Sequence, residues 1–229
     1  RLRDALPLAV LALRGWERIV PSVAHPPITW DLAVLVAVHM ARYGRWSFGT
    51  QLAFDCLLHV GELVGLQRGD VADSGDARLG SEYKGLALRL RKTKTGTNQW
   101  VEVRDPSVAL LLRQLVRSTR SKFLFPFSAA DFRSVFKATC ASLGLSSRYV
   151  PHSLRHGGAT RLHLQRVSIE DILLRGRWSS TKSARRYVQS GRALLLSVSV
   201  PRTIQAKAAR FARAPYISII LANFASQNH

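Results

Sequence analysis

"PHSLRHGGATRLHLQRVSIEDILLRGRWSSTKSARRYVQS", residues 151–190, decides how the rest of the chain is read. Its apolar residues recur at helical spacing, and Ser168 with Asp171 fits a capping box. The stretch therefore predicts a helix over "HSLRHGGATRLHLQR", a second over "SIEDILLRGR", and a last short helix that holds Tyr187. His152 and Arg155 stand at i and i+3, so both side chains leave one helix face and can share one ligand. Trp178 follows Arg155 by 23 residues and Tyr187 follows Trp178 by 9, behind the cations Lys182, Arg185 and Arg186. Singly, each has an ordinary reading: Trp178 as core, His152 as a helix-start residue, Tyr187 as an amphipathic surface residue. The ordered combination is much harder to obtain by chance.

Upstream, "AADFRSVFKATCASLGL" predicts a helix ending near Gly144, and "PSVALLLRQLVRS" has helical period. "LALRLRKTKTGTNQWVEVRD" alternates instead, with Leu86, Leu88 and Leu90 before the turn "KTGTN" and Trp100, Val101 and Val103 after it, which predicts a β-hairpin. The polar "QRGDVADSGDARLGSEYKG" reads as turns. From Thr29, a predicted N-cap, "WDLAVLVAVHMARYGR" makes one helix and "FGTQLAFDCLLHVGELVGL" a second, both apolar enough for the core. Residues 4–20 place Leu6, Val10, Leu13 and Ile19 near helical spacing before the prolines of "PSVAHPPIT" break the pattern into a linker. Past Ser197, "QAKAARFARA" and "PYISIILANF" each read as a docking element or a poorly ordered end. The fold class expected is mainly α with a small antiparallel β-sheet.

At 229 residues and 47% apolar content the chain can bury a sizeable core. Lys and Arg number 34 against 14 Asp and Glu, a net charge of +20 spread along the whole chain, so a polyanion is the expected partner. Cys56 and Cys140 lie in apolar settings without metal-ligand spacing and read as small buried hydrophobes in a reducing compartment. No apolar run reaches the roughly 18 residues that span a bilayer. The basic, apolar start has no small-residue cleavage site, so it reads as amphipathic helix. The only Met is Met40, so the sequence is expected to begin inside a longer reading frame. His152 and His156 stand at i and i+4, but "SLR" between them lacks the Glu of H-E-x-x-H and no third ligand is suggested, so no metal is expected. Nothing resembles a phosphate-cradling glycine loop, which leaves nucleotide hydrolysis unsupported.

His152, Arg155, Trp178 and Tyr187 resemble the C-terminal signature of the tyrosine recombinases, the phage-integrase family: H-x-x-R, a later His or Trp, then the nucleophilic Tyr. "LLHVGELVGLQRGDV" is similar to that family's first catalytic block, G-L-R-x-S-E-L with an L-x-x-x-D-I continuation, and "LRLRKTKTGTNQWVEV" to its hairpin carrying a catalytic Lys. The resemblance covers about residues 29–190. It implies a recombinase catalytic domain at 26–192, preceded in 1–25 by the last helix of a core-binding domain and a linker, and followed by the tail 193–229. It also implies double-stranded DNA as partner, a homo-oligomer, a tetramer on DNA, no cofactor, no membrane, and residence wherever the DNA is kept, in nucleus or nucleoid.

By the same resemblance, Tyr187 attacks the scissile phosphate to give a 3′-phosphotyrosyl protein and a free 5′ hydroxyl, and reversal onto another strand rejoins the DNA. Arg155 clamps phosphate oxygens with its fork of donors. Lys94, with Lys92 as fallback, protonates the departing 5′ oxygen. Trp178, through its indole N–H, and His152 add donors. Type IB topoisomerases use related chemistry, but the Trp178 to Tyr187 spacing and "GRWSS" favour a recombinase.

Two departures accompany the resemblance. Setting Glu62 and Leu63 on the family's E-L places His59 where the first catalytic Arg stands, and neither Arg45 nor Arg68 can be shifted into its place. Imidazole has a reference pKa of about 6.5 and is mostly uncharged at neutral pH. Loss of one preorganised donor at a transition state costs on the order of 100- to 1000-fold in rate. The expectation is therefore DNA strand cleavage and rejoining in site-specific recombination or integration of a mobile element, impaired at His59. The alternatives are a catalytically inactive DNA-binding relic and a basic structural protein of accidental similarity, the last of which would place Tyr187 far from Arg155. The second departure is that only residues 1–25 precede the catalytic domain, so half of the clamp around DNA is expected to be missing from this chain.

Overall fold

The computed structural model describes residues 25–93, 95–181, 184, 188, 200–213 and 216–226. In chain order its elements are α1 (Trp30–Met40), α2 (Arg45–Asp55), α3 (Val60–Val64), β1 (Val71–Ala72), β2 (Leu86–Lys92), β3 (Thr97–Val103), α4 (Pro106–Ser118), α5 (Ala129–Ser142), α6 (His152–Leu164), α7 (Ile169–Gly176), α8 (Arg202–Arg213) and α9 (Tyr216–Ser226). The class is the one expected, helices with a small antiparallel sheet. The hairpin β2–β3 pairs Leu88 with Val101, and β1, inside the segment read only as turns, adds a third strand through Val71 opposite Leu88.

Helix α1 sits at the centre because it is apolar on every side. Leu32 through Ala37 and Met40 are buried, and the Thr29 side chain accepts the Leu32 N–H at 3.4 Å to start the helix. Helices α2, α5, α6, α8 and α9 all pack on it. The last two close the core through aromatic contacts: Tyr216 meets Trp30 edge-on at 6.4 Å, and Phe224 meets Phe48 at 4.9 Å. Among the described residues, no helix is long and apolar enough to cross a membrane.

Helix α6 reaches the core on a glycine pair. A Cβ at Gly157 would strike the carbonyl of Ile28, and one at Gly158 would strike the carbonyl of Phe54. Both clashes involve backbone, so any side chain there would push α6 off α2 and off the extended segment before α1. The Ile28 N–H donates to the Ser153 carbonyl at 3.2 Å and seals this approach.

The single helix expected over "FGTQLAFDCLLHVGELVGL" is instead two. Helix α2 stops at Asp55, Leu57 takes a left-handed backbone with φ +51°, and α3 starts only at Val60. The apolar pattern runs on across the break because Cys56, Leu57, Leu58 and Leu63 are all buried, so periodicity alone could not show it. What holds the break open is polar: the carbonyls of Cys56 and Leu57 accept guanidinium donors from the far end of the chain.

Candidate active site

His152 opens α6, and Arg155 follows one turn later on the same face, as the spacing predicted. Arg155 is only 2% exposed. Its Nη1 donates to the Leu57 carbonyl and its Nη2 to the Gly176 carbonyl, so it joins the broken helix to the end of α7. The Trp178 ring lies against this guanidinium, 4.6 Å from its centre to the guanidinium carbon, a cation–π contact. Trp178 fits there because Gly176 has no Cβ to meet its ring. It also belongs to a small second core with Leu57, Ala159, Ile172 and Ala184 beneath the site.

His59 arrives from the start of α3 and stacks on His152, with ring centres 5.4 Å apart and planes at 16°. His156 meets His152 edge-on at 5.0 Å, and His25 at 6.1 Å. Burial, followed by the positive fields of His59, Arg155 and His25, pushes the His152 imidazole down to about 4. An anion placed beside His152 would act in the opposite direction. Among the described residues, no group of three or more His, Cys, Asp or Glu is arranged to hold a metal ion.

Four of the six residues predicted for the site, His59, His152, Arg155 and Trp178, thus come together from three separate segments. Lys94 and Tyr187, with the short helix expected to hold Tyr187, lie outside the described residues. The turn that flanks Lys94 is closed by the Thr93 N–H donating to the Gly96 carbonyl at 2.8 Å. The fallback, Lys92, ends β2 and lines a groove of about 310 Å3 with Glu62, Gly65, Arg89 and Arg91. Asp70, with a side chain 1% exposed, holds Arg89 at 3.0 Å and Arg91 at 2.8 Å along this groove. Burial works against the Asp70 charge, but its bonds to Arg91, Gln67 and Arg89 outweigh burial and hold the carboxyl below its usual range.

The sequence reading missed a layer of charge beneath these residues. Arg175, at the end of α7, donates to the Asp55 carbonyl at 2.8 Å and pairs with its carboxylate at 3.3 Å. Arg177 caps α7 in a left-handed conformation, φ +57°. Its guanidinium donates to the carbonyls of Leu57 and Arg175, both at 2.9 Å, and of Cys56 at 3.3 Å, and it pairs with Glu62 at 2.9 Å. Glu62 in turn accepts the backbone N–H of His59 at 2.9 Å. The Arg177 carbonyl accepts the Thr95 hydroxyl at 3.1 Å, which docks the hairpin turn. The sequence reading placed "RGR" only at the end of the helix over "SIEDILLRGR" and gave neither arginine a partner.

The model of the phage integrase family matches residues 37–193. No curated protein matches the sequence. Among solved structures, the Tn1549 transposon integrase in complex with circular intermediate DNA is 15% identical with a TM-score of 0.57, over 76% of this chain and 66% of that one. XerA recombinase is 15% identical with a TM-score of 0.56, over 85% of this chain and 66% of its own. A lambda integrase dimer bound to a COC' core site is 18% identical with a TM-score of 0.55, over 74% and 49%. At these identities the likeness is one of fold, that of tyrosine recombinase catalytic domains, and this chain spans less than two thirds of each neighbour's length. The family model covers well over half of the sequence, including His59, His152, Arg155, Trp178 and Tyr187, and the chain belongs to the phage integrase family.

Proposed function

We propose that this chain cleaves and rejoins double-stranded DNA through a 3′-phosphotyrosyl link to Tyr187, in recombination or integration of a mobile element, at a rate limited by His59. The observation that carries this reading is the convergence of His59, His152, Arg155 and Trp178, which span positions 59 to 178, on one spot of a chain with net charge +20. A phosphodiester resists attack because its nonbridging oxygens are negative, so donors and cations converging on one spot are what its cleavage needs.

In the proposed step the Tyr187 hydroxyl gives its proton to solvent as its oxygen bonds to phosphorus, the bond to the 5′ oxygen breaks, and Lys94 delivers a proton to that leaving oxygen. Arg155, His152 and Trp178 hold the nonbridging oxygens. The linkage keeps the bond's energy, so the reverse attack by a 5′ hydroxyl rejoins strands without a cofactor. Strand exchange requires two cleaved duplexes, which is the reason to propose a homo-oligomer, a tetramer, assembled on DNA in whichever compartment holds it.

A second reading, a DNA-binding relic without catalysis, is favoured by the absence of a permanent charge at position 59 and by a His152 pushed down to about 4, largely neutral at pH 7. A suicide DNA duplex that traps the covalent adduct separates the two. The chain as written is expected to give little adduct near neutral pH and more as pH falls. His59→Arg raises the yield, and Tyr187→Phe gives none. Equal yields from the chain as written and from His59→Arg would remove the claim that His59 limits the rate. No adduct from either, even with a core-binding domain fused in front, would leave the relic.

A further inference from the structure

We propose that Arg177 is a positioning residue of this site, the fixed charge that locks the His59 loop, Glu62 and the β2–β3 turn into one arrangement. The proposal rests on the strand-cleaving reading for its purpose, though not for its test. Arg177 stands at φ +57°, where glycine sits freely and a side chain is disfavoured, so its place is held by what the side chain does. What it does is satisfy the carbonyls that the broken helix releases at Cys56 and Leu57, and pair with Glu62, at side-chain exposures of 4% and 7%.

Three connections meet at this residue. Through the Leu57 carbonyl, which also accepts from Arg155, it ties the loop before His59 to α6. Through Glu62, whose Oε2 accepts the His59 N–H, its charge reaches the backbone that presents the imidazole. Through its own carbonyl it receives the Thr95 hydroxyl and so fixes the turn between β2 and β3. An imidazole at position 59 brings no permanent charge to offset the carboxylate of Glu62, and Arg177 supplies that offset from the other side. Among the described residues, the charged and titratable groups around the His59–His152 pair are then His25 from the chain before α1, Arg155 and His156 from α6, Glu62 from α3 and Arg177 from the end of α7.

The test is an NMR titration of the His59 imidazole in the full chain without DNA. Arg177→Met leaves Glu62 without its counter-ion, and a bare carboxylate favours the imidazolium, so the His59 midpoint is expected to rise by about one pH unit. Arg177→Met with Glu62→Gln should return it, and Arg177→Lys, which keeps charge but not the fork, should hold it within about 0.3 unit. Should Arg177→Met fail to fold, the Lys variant decides: a midpoint shifted by a full unit there overturns the proposal, as does an unmoved midpoint in a folded Met variant. A second arm uses the suicide duplex in the His59→Arg background, where Arg177→Met is expected to cut adduct formation at least tenfold. Adduct yield unchanged by Arg177→Met overturns the positioning role. No adduct from any variant, with the titration behaving as stated, rejects the strand-cleaving reading and leaves the strut intact.

Discussion

Helix α6 presents His152 and Arg155 from a regular element of 13 residues, sunk into the core on two glycines. The Cys56–Glu62 loop presents His59 from a break in a helix, held open by guanidinium groups that lie 98 and 120 residues away in sequence. One half of the site is fixed by packing and the other by charge. A packed helix tolerates changes of pH and salt but not of volume, whereas a loop braced by buried ion pairs tolerates neither loss of a partner nor a change in protonation. The difference teaches that the two halves can be broken by different means.

The largest effect is expected from volume on the α6 side. Gly158→Ala sets a methyl against the Phe54 carbonyl and should cost about 3 kcal/mol or more in denaturant unfolding, because backbone rather than a flexible side chain has to move. An unaltered midpoint would mean that α6 is not seated as tightly as described.

Acid comes next and acts where the halves touch. His152 titrates at about 4 when folded and near 6.5 when unfolded, so between those values the unfolded chain binds more protons. The stability owed to this residue is complete above about pH 6.5 and drains away as pH falls toward 4, by roughly 3 kcal/mol in all. Chemical denaturation of the parent chain and of His152→Gln at pH 7 and pH 5 measures it. The parent should lose more than the Gln variant, and equal losses would detach His152 from the pH response.

The smallest effect belongs to the hairpin. Thr95→Val removes one hydroxyl donor to the Arg177 carbonyl and should cost about 1 kcal/mol or less in the same assay. It should leave Gly158 and His152 behaviour unchanged, since the turn touches only the charged half. A loss as large as that from Gly158→Ala would show the turn to be part of the core.

The same division explains what was legible in the sequence. His152, Arg155 and the α6 and α7 boundaries are local, written in i, i+3 spacing and in the Ser168–Asp171 cap, where the Ser168 side chain accepts the Asp171 N–H at 3.0 Å. The break after Asp55 was illegible because buried apolar residues continue through it, and β1 because two residues carry no alternation to read. Arg175 and Arg177 were illegible for a different reason: their partners, Asp55 and Glu62, stand 120 and 115 residues away, and no local pattern separates a buried arginine from a solvated one. Trp178 is buried as the core reading expects, and its ring also lies against Arg155, beside the residues the resemblance groups with it.

The glycine pair in α6 also sets how the site can open. Each glycine is about 1 kcal/mol worse than alanine inside a helix, so α6 has little tendency to exist away from its neighbours. It forms because Ile28 and Phe54 receive it. Amide hydrogens along the middle of α6 should therefore exchange only through openings that also release α1 and α2, at a free energy close to that of global unfolding. The helix that carries His152 and Arg155 has no private route to disorder, and whatever motion the site needs has to come from the loop, the hairpin turn or segments outside α6.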